Sequence, residues 1–142
     1  MTTFSPAEVA YLENQRLARL ATVGPNGAPH VVPVGFEVSE DGTALDVGGH
    51  DLVASKKWRD LVGNPNAAIV IDDLAAVDPW TPRGIEVRGT AELRPTGGSD
   101  KFGPDVRGQA WIRIVPRYIT SWGIEGHAFS PAGRRRTRRV DP

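Results

Sequence analysis

Residues 17–38 read LARLATVGPNGAPHVVPVGFEV. Leu17, Arg19, Ala21 and Val23 alternate with Ala18, Leu20 and Thr22, the period-two pattern of a strand with one buried face. The run stops at Gly24-Pro25-Asn26-Gly27, a turn sequence, and a Val-rich second strand follows from about Pro29 to Val38. Pro33 lies in the middle of that second strand, where it removes a ladder donor, so the sequence predicts a strand interrupted at an edge or bulge. Backbone N–H and C=O groups left without ladder partners there are open to a ligand. Two strands joined by so short a turn must be antiparallel, and this hairpin sets the fold class.

On the N-terminal side, Ser5-Pro6-Ala7-Glu8 has the form of a capping box, with Ser5 as N-cap and Pro6 at the first helical position. Phe4 and Val9 stand where a hydrophobic staple belongs, and a short helix is expected from about Pro6 to Gln15, with Val9 and Leu12 on its buried face. On the C-terminal side, the turn Ser39-Glu40-Asp41-Gly42 leads to a third strand, Ala44 to Val47, that runs into Gly48-Gly49. Good helix formers from Ser55 to Gly63 end at Asn64-Pro65, which predicts a second short helix. A fourth, apolar strand (Ala67 to Ile71) belongs in the core. A Pro-rich loop (Asp72 to Pro82) precedes a fifth strand (Gly84 to Leu93), and a loop from Pro95 to Arg107 precedes the last (Ala110 to Ile124), bent near Pro116. Six antiparallel strands and two short helices in 142 residues predict a mainly β fold, a small barrel whose closure removes sheet edges. So small a core favours a homodimer that covers the remaining apolar surface and builds a cleft between protomers.

Composition agrees with one domain over 1–142, ending in an Arg-rich tail from about residue 127. The 16 Gly and 12 Pro cut the chain into short elements and exclude a helical bundle. With no cysteine, disulfides, thiolate nucleophiles, iron–sulfur clusters and Cys-ligated zinc are excluded. His30, His50 and His127 are too scattered to rebuild a metal site, so no metal is expected. No apolar run is long enough to span a bilayer and the N-terminus lacks the order of a secretory signal, so a cytoplasmic protein with no membrane partner is expected. The 17 basic and 17 acidic residues balance, but Arg134, Arg135, Arg136, Arg138 and Arg139 crowd the C-terminus and leave the body acidic. A solvated tail is the expectation, with contact to an anionic cofactor as the alternative. Nucleic acid is not expected as a partner, because no aromatic platform or recognition helix accompanies the arginines.

No acid–base or nucleophile constellation stands out, and no catalytic residue is assigned. Asp72-Asp73 point to opposite faces of an extended chain and are expected to end a strand. A protein with no catalytic residues of its own usually borrows chemistry from a cofactor. The strongest anion-binding signal is Ser55-Lys56-Lys57, directly after Gly48-Gly49, where the N–H groups of a helix start meet two ammonium groups. Trp122, just before Gly123, is the tryptophan best placed for a ring-stacking or cofactor-edge role.

Taken in order, the helix, the Gly-Pro turn, the Val-rich strand with its proline, Ser-Lys-Lys before a helix ending in Asn-Pro, and a late Ser-Trp-Gly resemble the pyridoxamine 5′-phosphate oxidase-like split β-barrel superfamily. Ser55-Lys56-Lys57 is similar to its Ser-Arg-Lys phosphate motif. Segments RLARLATVGPNGAPHVVPVGF, DDLAAVDPWTPRGIEVRG and IRIVPRYITSWGIEG resemble the actinobacterial branch that uses the deazaflavin coenzyme F420. The resemblance implies a six-stranded FMN-binding split barrel and a homodimer with two cofactor sites at its interface. It implies a cofactor ring along the backbone of Val32, Pro33 and Val34, a phosphate at Lys56 and Lys57, Gly48 and Gly49 beside it, and Trp122 as a late contact. Val32 and Gly84 replace polar residues with which the oxidase holds FMN, which favours F420 over FMN. The implied function is an F420-dependent oxidoreductase that passes hydride to an electron-poor small-molecule substrate. An FMN-dependent enzyme of the same fold and a non-catalytic F420 or flavin carrier are the alternatives.

Overall fold

Ser5 opens the chain's first helix through the expected capping box. Its Oγ accepts from the Glu8 N–H at 3.2 Å while Glu8 Oε1 accepts from the Ser5 N–H at 2.8 Å. The structure is a computed structural model and describes residues 3–104 and 108–141. In it α1 spans Pro6–Glu13, ending at the Asn14 C-cap, slightly before the expected Gln15. Phe4, Leu12 and Tyr11 are buried, and Val9 packs at the edge of the core.

Strands β1 (Leu17–Val23) and β2 (Pro29–Val38) form the hairpin read from the sequence. Their pairing runs from Leu17↔Gly35 to Val23↔Pro29 without a shift, with Pro33 opposite Arg19. The second strand is therefore continuous, contrary to the expected interruption. The reason is its position: β3 (Leu45–Val47) pairs with β2 only over Phe36–Val38, so residues 29–35 form an edge, where a missing N–H is tolerated. A 3-10 turn (Leu52–Ala54) then leads to α2 (Lys56–Gly63).

Strands β4 (Asn66–Ala76) and β5 (Thr81–Arg94) are much longer than expected. The segment expected as a loop is largely ladder, with Asp72↔Gly84, Asp73↔Arg83 and Leu74↔Pro82 paired. A cross-strand ion pair between Asp73 and Arg83 (2.7 Å) holds this polar stretch extended. The expected loop Pro95–Arg107 contains a short helix, α3 (Gly98–Phe102); its last residues, 105–107, lie outside the described ones. Lys101 of α3 pairs with Glu37 and the fully buried Asp46, so long-range contacts fix this helix. Strand β6 (Trp111–Trp122) shifts register beside Pro116, at the expected bend.

The arginine tail corrects a further expectation. Arg136–Arg139 form a strand, β7, paired with β6 from Tyr118 to Ser121. Arg138 makes a two-pronged ion pair with buried Glu8 (2.6 and 2.8 Å), which anchors the segment to α1. The sheet order is β3-β2-β1-β4-β5-β6-β7, and pairing of β3 with β6 closes the first six into an antiparallel barrel. Leu20, Ile69, Ile71, Ile85, Val87, Ile112, Ile114 and Ile119 fill its interior. Among the described residues no helix is long and apolar enough to cross a membrane.

Candidate functional site

Serine 55 caps α2 by accepting from the Trp58 N–H at 3.3 Å, and Asn64-Pro65 ends the helix after two turns. Lys56 and Lys57 therefore sit in the first turn, with no acidic residue there to offset them. The two lysines differ. Lys57 is half-buried without an ion pair or hydrogen bond among the described residues, and burial draws its ammonium below the ordinary lysine value. Lys56 Nζ instead contacts Asp60 Oδ1 at 2.9 Å and Oδ2 at 3.3 Å. Asp60 also accepts from Thr22 Oγ1 at 2.9 Å. These bonds, led by that from Lys56, hold the Asp60 carboxyl below its ordinary range.

Along the hairpin, Val34 is buried in the core, Val32 is half-buried against it and Pro33 is exposed. Along this edge the exposed side chains are those of Pro29, Val31 and Pro33, beside open backbone. Gly48 and Gly49 follow β3, with the Phe102 ring over Gly48 and Leu52 against Gly49. They line a cleft of about 480 Å³ together with Gly35, Phe36, His50 and Phe102, so the structure brings the end of β2 and the Gly-Gly pair to one place.

Trp122 lies elsewhere on the barrel, at the end of β6 opposite Gly84. A Cβ on Gly84 would stand 2.4 Å from Trp122 Cζ2 and 2.9 Å from Asp72 Cβ, so only glycine admits the indole here. Arg135 covers the ring, its guanidinium carbon 5.1 Å from the centroid. On the opposite face of this ladder, Asp73 joins Arg83, the Tyr11 hydroxyl (2.9 Å) and Gln15 Nε2 (3.2 Å). Burial and the neighbouring carboxylate push the Tyr11 hydroxyl well above the tyrosine range, so it stays protonated as a donor to Asp73. Asp72 points the other way, to Arg19 at 3.4 Å, as alternation requires, although neither aspartate ends the strand.

Asp60 and the Asp73 cluster are not among the residues the sequence singles out, whereas Arg135 belongs to the tail arginines it offers as an alternative contact to an anionic cofactor. Lys56 and Asp60 stand four apart on a helix, a visible pairing signal. The Asp73 cluster depends on cross-strand register and on α1, which no local pattern displays. The residues present fit an anionic, planar group: a half-buried ammonium with no partner among the described residues stands at a helix start, and an open backbone edge lies on β2.

The fold and these features belong together in one class, and comparison with known sequences places the chain in it. Residues 4–123 match the family model described as pyridoxamine 5′-phosphate oxidase, and the chain belongs to that family. Proteins similar to it include two named as reductases and one named as FAD-binding. The chain is 42% identical over 123 residues to the 5a,11a-dehydrotetracycline/5a,11a-dehydrooxytetracycline reductase of Streptomyces rimosus, covering 87% of this chain and 85% of that one. A solved F420 reductase superposes with a TM-score of 0.59 at 26% identity, covering 78% of this chain and 93% of that one. The FAD-binding protein of Mycobacterium smegmatis shares the fold alone, with a TM-score of 0.61 at 18% identity over 99% of this chain and 100% of that one.

Proposed function

We propose that the protein is a coenzyme F420-dependent reductase acting on an electron-poor small molecule, such as a conjugated C=C, C=N or quinone-like acceptor. The observation that carries this is the 42% identity to a reductase across most of both chains. The N-terminal turn of α2 and Lys57 would hold the phosphodiester of the cofactor. The backbone edge at Val32, Pro33 and Val34 would lie along its ring, with Gly48 and Gly49 leaving room at one end and Trp122 contributing an edge. When bound, the reduced deazaflavin supplies a hydride. The chain's own part is to bind, orient and exclude water, and the proton comes from solvent or a cleft side chain.

The proposed active form is a cytoplasmic homodimer. Exposed Leu17 and Val31 on the outer face of β1 and β2 (55% and 63% exposed) support a second copy covering that face. The family description favours a second reading, an FMN-dependent enzyme. Against it, the position expected to hold a polar FMN contact is Gly84, where a side chain meets the Trp122 ring at 2.4 Å.

The test is turnover. Reduced F420 with the protein is expected to reduce members of a panel of polycyclic enones and quinones, and reduced FMN is not. Tight F420 binding with no turnover across the panel would make the protein a carrier. Replacing Lys56 and Lys57 together by Ala should weaken F420 binding at least tenfold, about 1.4 kcal/mol or more, with the loss shrinking in salt.

A further inference from the structure

On the reading that α2 opens on an anion, we propose that Asp60 is a positioning residue that draws Lys56 away from that anion and pins it to the β1–β2 turn. Lys57 is then the one lysine left at the helix start. Long helical side chains normally lean towards the N-terminal turn. The Asp60 carboxylate accordingly lies over the turn before it and engages the Lys56 ammonium at 2.9 Å within the protein. Asp60 is only 3% exposed at its side chain, whereas Lys56 is 47% exposed. Both carboxylate oxygens are engaged, by the ammonium and by the Thr22 hydroxyl. Taking Lys56 away would leave a buried carboxylate with one neutral donor, a costly state.

At its far end the ammonium rests on the hairpin turn. A Cβ on Gly24 would lie 3.3 Å from Lys56 Nζ and 3.6 Å from Asp60 Oδ1, so the bare backbone makes room for the pair. Gly24 closes the turn, its N–H donating to the Ala28 carbonyl at 2.9 Å just before β2 begins. Asp60 thereby ties the start of α2, β1 and the entrance of β2 into one unit. The separation between anion grip and β2 edge is fixed by this tie. Lys57, on the face of buried Leu61, keeps its charge for a ligand.

The two roles open to Lys56 give opposite signs on substituting its partner. If Asp60 holds Lys56 back, Asp60→Asn frees the ammonium and removes a negative charge. F420 then binds at least threefold more tightly, and Asp60→Asn added to Lys57→Ala recovers at least threefold of the loss. If Asp60 instead aims Lys56 at the anion, Asp60→Asn weakens binding, and weaker or unchanged affinity overturns the proposal. Wild-type protein supplies a second measurement that needs no variant. Lys56, Lys57 and Lys101 are its lysines. After reductive ¹³C-methylation, which keeps their charge, F420 should move the Lys57 resonance and leave that of Lys56 in place. A shift of the Lys56 resonance equal to that of Lys57 overturns it. If neither F420 nor FMN binds wild-type protein, the functional reading fails. The tie is then judged by urea unfolding of Lys56→Met, Asp60→Asn and the double variant, where coupling supports it and additivity overturns it.

Discussion

Glu8 serves two partners with one carboxylate, capping its own helix through the Ser5 N–H and holding Arg138 of β7. Burial alone would raise its pKa, but the Arg138 guanidinium and the Ser5 N–H outweigh burial and hold it below its ordinary 4.5. A depressed native value means that the stability it contributes is complete above pH 4.5 and is lost as pH falls through the lower native value. The melting-temperature gap between wild type and Glu8→Gln should thus be constant above that pH and close below it. A gap that stays open in acid would contradict the assignment. Arg138→Ala should cost about 1.5–3 kcal/mol by leaving a buried carboxylate short of its charged donor. At Gly84, substitution by Ala should cost about 1–3 kcal/mol and shift the Trp122 emission, since the new methyl group occupies the indole's place. Unchanged stability and emission would show that the indole is not held there. The capping box was legible in the sequence because every participant lies within four residues. The second role of Glu8 was not, because Arg138 is 130 residues away.

Elements show the same division between local and distant causes. The β1–β2 hairpin could be read from alternation and its turn, and its proline correctly signalled an edge, though not a break. The β4–β5 hairpin was read too short because Asp72, Asp73, Pro79 and Pro82 are loop-like residues one by one. The backbone pairing across β4 and β5 makes this stretch a ladder, and the cross-strand bond from Arg83 to Asp73 supports it. The arginines of β7 gave no strand signal, since all four of its side chains are exposed. β7 adds to a barrel already closed by β3 and β6. A chain ending at Gly133 should therefore keep its β-sheet circular dichroism, melt roughly 5–10 °C lower through loss of the Glu8 partner, and expose Trp122 to solvent. Global loss of sheet signal would show instead that β7 is integral to the barrel.

At the scale of the whole molecule, the candidate site is distributed: the lysines start α2, the glycines end β3, the backbone edge belongs to β2, and Trp122 closes β6. The proposed cofactor cleft, completed by a second copy, would account for this distribution and for exposed Leu17 and Val31. Leu17→Asp with Val31→Asp should turn a dimer into a monomer by light scattering and reduce F420 affinity at least tenfold. A dimer that persists with full affinity would place the interface elsewhere. In the sequence the Ser-Lys-Lys start of α2 was legible as a motif, whereas the inequality of its two lysines required the burial of Asp60. The most direct test of the central claim is a fluorescence titration of the wild-type apoprotein with F420 and FMN side by side. F420 is predicted to bind at least tenfold more tightly, and FMN binding as tight as F420 or tighter would contradict the account.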